Sequence, residues 1–357
     1  MEKKKLKIAF LSFYSGEVYR GVETFVHEVA NRLSAFGHTV IVLQNGSAAP
    51  GSLYKTVSLG LPLDLKRKPQ CTSFVFNYYA FCVRQFTQEA LRLVEEDVDI
   101  LFPINGQWQS LLCRLWSWKR GTRMVLVGQS GLGIDDRLNL WTFPNVFVGL
   151  TRFQIQWSKR VNPFVRVVTI PNGVDLAKFK PRAKAIKIEL PKPVILSVAA
   201  LTSWKRLDLA MKAVASLKQG SLLLVGQGED REKLQKLGDD LLPGRFQISS
   251  FPYQQMPGVY ASADLFTFPT VPWESFGIAM VEAMATNLPV VASDDPIRRE
   301  IVGNAGLFVD PLDTSAYANV LKEALDTNWG NKPREQAKKF SWDEIAKSYD
   351  RLFRNLV

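Results

Sequence analysis

The chain has few of the residues that metal sites and disulfides require. Its 357 residues include only two histidines, His27 and His38, and three cysteines, Cys71, Cys82 and Cys113, with no CxxC spacing among them. An odd number of cysteines without ligand spacing argues against a disulfide framework and against a structural zinc site. We therefore expect reduced cysteines that pack, histidines with structural roles, and no metal ion.

Long apolar runs are also missing. No run approaches the roughly 18 residues that a membrane-spanning helix needs. The opening letters MEKKKLKIAFLSFY lead directly into a strand-like segment, without a cleavage site. We therefore expect a cytoplasmic protein that does not span a membrane.

Positive charge is in excess, and it is unevenly distributed. The net charge is +11, and residues 1–175 hold 21 Lys and Arg against 13 Asp and Glu, whereas the remainder holds 24 against 21. Cations next to Trp116 and Trp118 suit an anionic membrane surface or an acidic, lipid-linked substrate. A solvated basic face explains the same pattern, and nucleic acid is less favoured because no recognised binding module is present. The basic excess is concentrated in two stretches. One contains Lys66, Arg67 and Lys68, and the other, which includes the two tryptophans, contains Arg114, Lys119, Arg120 and Arg123.

Short Val/Ile/Leu runs alternate with helical patterns through both halves of the chain, which predicts parallel sheets covered on both faces. Proline, glycine and lysine interrupt this pattern at about residues 171–192, which we interpret as a linker. The predicted domains are residues 1–172 and 173–340. Residues 341–357 form a terminal helix that begins with a capping-box pattern.

The stretch TVPWESFGIAMVEAMATNLPVVAS places Glu274 in a loop and Glu282 inside the helix that follows. Backbone amides of Phe276, Gly277 and Ile278 at the start of this helix would bind an anion, and the glycine would allow close approach. A nucleotide sugar fits this layout, because its diphosphate lies between two polyols that carboxylates can hold. A helix start with one acidic residue and one surface glutamate is the alternative.

A second candidate stretch is SVAALTSWKRLDLAMKAV, where Lys205 and Arg206 precede a helix. Cations there would hold a diphosphate and stabilise it as a leaving group. Taken alone, the pair is more typical of a surface. The nearby VGQGEDREKL lacks the third glycine of a dinucleotide fingerprint, with Arg231 in its place, so we predict a tight turn into a helix.

Together these motifs resemble the retaining, nucleotide-sugar-dependent glycosyltransferases of group 1, or family 4, which have the GT-B fold and a Glu-x7-Glu motif. The resemblance rests on RGVETFVHEVANRLSAFGHTVIVL, IPNGVDLAKFKP, Lys205, VGQGEDREKL, ESFGIAMVEAMATNLPVVASD and GLFVDP. It implies two Rossmann-like, doubly wound parallel-sheet domains that face each other across a cleft. The first would bind the acceptor and the second the donor, and the terminal helix would cross back to the first.

The resemblance also implies residue roles. Glu274 would contact donor-sugar hydroxyls and Glu282 the ribose, and Lys205 would bind the diphosphate and serve catalysis together with Glu274. Further donor contacts are expected from Gly21, Arg206, Phe276, Gly277 and Ile278, and acceptor or sugar contacts from Gln129 and Asn172.

Four motifs depart from the family pattern. Ala199 and Ala200 replace a Gly-Arg pair, Arg20 replaces the first glycine of a pair, Gln129 replaces a histidine, and Asn287 replaces a glycine at a helix end. Asparagine still accepts the left-handed conformation there. Losing a phosphate-binding arginine and a site histidine leaves reduced or altered activity as an open alternative, and Arg206 is a candidate to replace the arginine.

The leading hypothesis is a metal-independent, retaining hexosyltransferase. It would move a sugar from a nucleoside diphosphate sugar to a hydroxyl of a glycan or lipid-linked acceptor in cell-envelope polysaccharide synthesis. We expect no cofactor, because the nucleotide sugar is a co-substrate, and a location in the cytoplasm or peripherally on the inner membrane face. The alternatives are a sugar-nucleotide epimerase of the same fold, for which two histidines supply few acid/base groups, and a catalytically weak sugar-nucleotide-binding protein.

Overall fold

The Val/Ile/Leu runs form buried strands in the computed structural model, which describes residues 4–18, 20–64, 77–181 and 183–357. The chain divides into an N-terminal unit, Met1–Asn172 with Trp342–Val357, and a C-terminal unit, Gly173–Ser341. The basic residues Lys66, Arg67 and Lys68, and also Cys71, lie outside the described residues.

The N-terminal unit contains a seven-stranded parallel sheet of order β3-β2-β1-β4-β5-β6-β7. Its central strands are almost fully buried because helices cover both faces. The strands are β1 Lys7–Ser12, β2 Thr39–Gln44, β3 Lys55–Ser58, β4 Ile100–Pro103, β5 Arg123–Val127, β6 Val146–Gly149 and β7 Val167–Thr169. The helices are α1 Gly21–Ala35, α2 Tyr78–Leu93, α3 Trp108–Arg120, α4 Ile134–Trp141 and α5 Arg152–Val161.

The C-terminal unit repeats this architecture with a six-stranded parallel sheet of order β10-β9-β8-β11-β12-β13. Both orders follow the Rossmann pattern, which confirms the predicted α/β class. The strands are β8 Val194–Val198, β9 Ser221–Val225, β10 Phe246–Ser249, β11 Leu265–Phe268, β12 Val290–Ser293 and β13 Gly306–Val309. The helices are α6 Leu207–Ala215, α7 Arg231–Leu241, α8 Met256–Ala261, α9 Ile278–Ala285, α10 Pro296–Val302, α11 Thr314–Asp326 and α12 Lys332–Lys338.

The last helix, α13 (Trp342–Arg354), packs within the N-terminal unit. The rings of Phe102 and Phe353 lie 5.8 Å apart, with a T-shaped geometry. His38 accepts a hydrogen bond from the Leu6 amide through Nδ1, and its Nε2 lies 2.7 Å from Asp350 on α13. These contacts give this histidine the structural role expected from the sequence.

The segment predicted as a linker is in part an integral piece of the C-terminal unit. The Val174 amide donates to Phe340 O at 2.8 Å, and Phe179 is fully buried. The Arg334 guanidinium donates to the carbonyls of Leu176 and Phe179 at 2.8 and 2.6 Å. Prolines and glycine do exclude regular elements here, but residues 174–179 pack within the C-terminal unit, so the linker interpretation does not hold for them.

Other elements were not predicted at all. The sequence of α3 was interpreted only as a basic, tryptophan-bearing stretch, and β3 is a four-residue edge strand with little apolar signal. Within α3, Trp116 packs against the core of the unit, whereas Trp118 is 59% exposed. Cys113 lies fully buried in the same core, as a packing cysteine should.

Candidate functional site

Two of the predicted residues of the C-terminal unit, Lys205 and Glu274, come together where two adjacent strands end. β8 and β11 are neighbours at the point where the strand order reverses, and open α/β sheets bind ligands outside the carboxyl ends of such strands. Lys205 follows β8 in a short 3-10 turn, and Glu274 follows β11 in the loop before α9. Lys205 Nζ lies 2.5 Å from Glu274 Oε2, and both side chains are about one-fifth exposed.

The loop that carries Glu274 is fixed from beneath by Arg298, a fully buried side chain on α10. Its guanidinium donates to the carbonyls of Glu274 and Pro272, at 2.8 and 2.9 Å. Its Nε donates to Asp295 Oδ2 at 2.8 Å, and the same carboxylate caps α10 by accepting from the Ile297 amide. Sequence reasoning missed this residue; the only available signal was the i, i+3 charge pair at the start of α10.

The loop that carries Lys205 is held by the glycine pair of VGQG. A Cβ atom on Gly226 would lie 1.9 Å from Ala199 O, and one on Gly228 would lie 2.3 Å from Leu201 O. The Leu201 amide also donates to Gln227 O at 2.9 Å. The two loops therefore run backbone against backbone, which explains this glycine pair without any dinucleotide.

Arg206, the second predicted cation, is the N-cap of α6 and has a left-handed backbone with φ of 49°. This conformation is uncommon for a non-glycine residue and concentrates at functional sites. Its side chain is partly exposed, beside Lys205 in the chain.

The start of α9 requires glycine at position 277. Gly277 has φ of 88°, and a Cβ there would lie 2.8 Å from Phe268 Cε1 and 3.0 Å from Met280 Cε. Phe276 is buried and packs on Phe340, so only its backbone is available to a ligand. Gly277 and Ile278 remain partly exposed, and the first amides of a helix have no partner within that helix. A positive helix end thus lies in the same loop as Glu274.

Glu282 lies within α9 and is only 6% exposed, so the alternative of a surface glutamate is wrong. Its Oε2 accepts a hydrogen bond from the Tyr260 hydroxyl at 2.7 Å. Burial and the adjacent Glu282 carboxylate raise the pKa of Tyr260, which keeps that hydroxyl protonated as a donor. Tyr260 is a second supporting residue that sequence reasoning missed.

In the N-terminal unit, the two predicted acceptor contacts are bonded to each other. Gln129 Nε2 donates to Asn172 Oδ1 at 3.0 Å, and Asn172 Nδ2 donates back to Gln129 Oε1 at 2.9 Å. Asn172 is 2% exposed. Gly21, the predicted donor contact of this unit, is the first residue of α1 and follows an extended Arg20.

A buried polar network lies under the loop that follows Gln129. The Asp136 carboxylate is fully buried and accepts hydrogen bonds from Asn139 Nδ2 at 3.3 Å and Gln154 Nε2 at 3.2 Å. Burial raises the pKa of Asp136 to about 8, against the opposing effect of those donors. This carboxyl group was not singled out from the sequence.

Within the described ranges of the chain, no cluster of three or more His, Cys, Asp or Glu residues is arranged to hold a metal ion. The helices described between residues 4 and 357 also include none with the length and apolar character needed to cross a bilayer.

Residues 179–341, nearly the whole C-terminal unit, match the sequence profile of the family described as "Glycosyl transferases group 1". The C-terminal unit is therefore similar to the glycosyl transferases of group 1. The match includes Lys205, Glu274, Glu282 and the supporting Arg298.

Among curated relatives, the phosphatidyl-myo-inositol mannosyltransferase of Mycobacterium leprae is 24% identical, over 99% of this chain and 97% of its own. The matches to the first curated relatives span only 26%, 36% and 52% of those proteins. Among solved structures, sucrose-phosphate synthase from Thermosynechococcus elongatus aligns with a TM-score of 0.80 at 21% identity, over 99% of both chains. Anabaena HepE, solved with UDP-glucose, aligns with a TM-score of 0.76 at 16% identity, over 98% of this chain and 100% of its own. These structures show that the fold is GT-B.

Proposed function

We propose that this protein transfers a sugar from a nucleoside diphosphate sugar to a hydroxyl group, with retention at the anomeric carbon and without a metal ion. The observation that carries the proposal is the Lys205–Glu274 pair beside the amino end of α9, at the strand-order switch of the C-terminal unit. The solved complex of Anabaena HepE with UDP-glucose supports the choice of a nucleotide sugar as ligand.

The geometry limits what the ligand can be. Because Lys205 Nζ and Glu274 Oε2 are 2.5 Å apart, a ligand that engages both must carry an anionic group directly beside a hydroxyl-bearing group. The bond between a sugar and its diphosphate has this arrangement. Glu274 would then accept hydrogen bonds from sugar hydroxyls, Lys205 and the α9 amides would hold the diphosphate, and Glu282 would accept from the ribose.

The proposed chemistry places leaving group and acceptor on the same face of the sugar. The bond from the anomeric carbon to the diphosphate breaks, the acceptor oxygen attacks from that side, and a diphosphate oxygen takes the acceptor proton. Lys205 and the positive end of α9 stabilise the charge that develops on the diphosphate, a role that a metal ion fills in other transferases. Glu274 holds the sugar and is not assigned as a nucleophile.

The acceptor is proposed to be a glycan or lipid-linked hydroxyl, handled by the N-terminal unit at the inner face of the cytoplasmic membrane during cell-envelope polysaccharide synthesis. The name of the Mycobacterium leprae relative, which is about as long as this chain, specifies a phosphatidyl-inositol substrate. Gln129 and Asn172 supply neutral hydrogen-bonding groups in this unit, the kind that suits a hydroxylated acceptor.

A panel of nucleotide sugars tests the donor. The cognate donor should raise the melting temperature by mass action, and the product formed with it should keep the donor's anomeric configuration by NMR. An inverted product, or turnover that stops when metal is chelated, would overturn the mechanism.

A sugar-nucleotide-binding protein with little turnover is the second candidate. It is favoured by Gln129, because this side chain has no titratable group and is held by Asn172. Donor binding without transfer and without slow donor hydrolysis would establish it. Interconversion of the donor with its epimer would instead identify an epimerase.

A further inference from the structure

Helices α3, α4 and α5 form one continuous layer in the N-terminal unit. Ser110 Oγ on α3 donates to Asn139 Oδ1 on α4 at 2.7 Å, and Asn162 Nδ2 after α5 donates to Leu140 O at 3.0 Å. These bonds fix the inward sides of the helices. The opposite sides are therefore presented together on one surface.

That surface carries large apolar side chains where a soluble protein would normally be polar. Leu115 and Trp118 on α3 are 52% and 59% exposed, and Leu138 and Trp141 on α4 are 38% and 50% exposed. Each pair has i, i+3 spacing, which places its two members on one side of the helix. A ridge of this kind on two neighbouring helices marks an interaction site.

The charged side chains around this ridge are mostly cationic. The sequences of α3 and α5 contain no Asp or Glu. Of the two acidic residues of α4, Asp136 is fully buried, and the partly exposed Asp135 accepts from Gln107 Nε2 at 2.8 Å. Lys119 and Arg137 are exposed beside the apolar ridge. The outward side of these helices is therefore apolar and mainly cationic. The carboxylates beside it are engaged, Asp135 by Gln107 and Glu96 by Arg120 at 2.7 Å.

We propose that this apolar-cationic face, made of Leu115, Trp118, Lys119, Arg137, Leu138 and Trp141, docks the protein on an anionic lipid surface. Tryptophans suit the boundary between headgroups and acyl chains, and Lys and Arg are attracted to anionic headgroups. A second copy of the chain fits less well, because a two-fold contact would place the same cations against each other. This docking face rests on the membrane location given in the proposed function. It does not depend on the donor chemistry.

The test is co-sedimentation of the full chain with vesicles of phosphatidylcholine alone or mixed with phosphatidylglycerol, without nucleotide sugar. The wild-type protein should bind the anionic vesicles and lose binding as salt is raised from about 0.05 to 0.5 M. Lys119→Glu/Arg137→Glu and Trp118→Ala/Trp141→Ala should each lower the partition coefficient at least about tenfold.

Matched control variants lie in the C-terminal unit. Lys233→Glu/Lys322→Glu gives the same net charge change, and Trp204→Ala/Trp273→Ala removes two tryptophans that are 54% and 46% exposed. Both controls should bind vesicles within about twofold of wild type, and circular dichroism should show all four variants folded. Equal binding by face variants and controls would overturn the proposal. So would equal binding to neutral vesicles, or a dimer in sedimentation velocity that the tryptophan variant abolishes.

Because the assay contains no donor, it separates the two proposals. Vesicle binding can fail while donor transfer is observed, and transfer can fail while vesicle binding holds.

Discussion

The two units hold their predicted site residues by different means. In the C-terminal unit the loop with Glu274 rests on a buried guanidinium, and the carboxylate itself is paired with Lys205. In the N-terminal unit Gln129 and Asn172 satisfy each other as neutral amides. Charged groups fixed by charged supports are pre-organised for stabilising a transition state, whereas a neutral pair can exchange its partner for a ligand at little cost. Under the proposed function, the C-terminal unit would supply the chemistry and the N-terminal unit the recognition of the acceptor.

Arg298 should give the largest effect, because it supports the loop that carries Glu274. Arg298→Met leaves the Asp295 carboxylate buried without its partner, which should destabilise the C-terminal unit by about 3–5 kcal/mol. Urea unfolding measures this loss of free energy of unfolding. The adjacent Arg299→Met is the control, since its pair with Asp294 is exposed and should cost at most about 1 kcal/mol. Equal costs for the two arginines would contradict the role given to Arg298.

Asp136 sets a pH dependence of stability in the N-terminal unit. Its pKa is about 8 in the folded protein, against an ordinary value of 3.8, so between these values the folded state keeps a proton that the unfolded state has lost. Its contribution to stability is therefore full below about pH 4 and lost as the pH rises through about 8, by at most about 1.4 kcal/mol per pH unit. Melting curves from pH 6 to 9 should fall less steeply for Asp136→Asn than for wild type. Parallel curves would refute the raised pKa.

Gly277→Ala tests the start of α9. The added Cβ would be strained by the left-handed backbone and would clash with the Phe268 ring. We expect the free energy of unfolding to fall by about 2 kcal/mol and donor binding to weaken. Gly244→Ala is the control, because Gly244 has a similar φ of 71° with nothing near its missing Cβ. Loss of donor affinity in both variants alike would show that position 277 has no special role.

The amide pair should give the smallest effect. Gln129→Ala leaves the buried Asn172 amide unpaired, at a cost of about 1–2 kcal/mol, and removing both amides should cost little more than removing one. We expect the acceptor KM to rise while donor affinity stays unchanged. A change in donor affinity instead would move Gln129 into the donor site.

Local sequence patterns predicted much of this structure, because buried parallel strands are continuous apolar runs. The position of Glu274 between such a run and a helical pattern likewise predicted that it lies in a loop. Arg298 and Tyr260 escaped prediction because their roles depend on carbonyl and carboxylate groups that only the folded chain brings near them. The outward ridge of α3 and α4 was missed for a related reason. Trp116 and Trp118 look equivalent in sequence, and only the packing of the helix sets one against the core and leaves the other exposed.

The central claim is that Lys205 and Glu274 act on the donor as one unit. The most direct test is a double-mutant cycle in which donor turnover is measured for Lys205→Ala, Glu274→Ala and the double variant. Each single substitution should lower kcat/KM more than tenfold, about 1.4 kcal/mol or more of transition-state stabilisation. The double variant should lose much less than the sum of the two losses, because the pair shares one ligand contact region. Unchanged rates in both single variants, or strictly additive losses, would contradict the account.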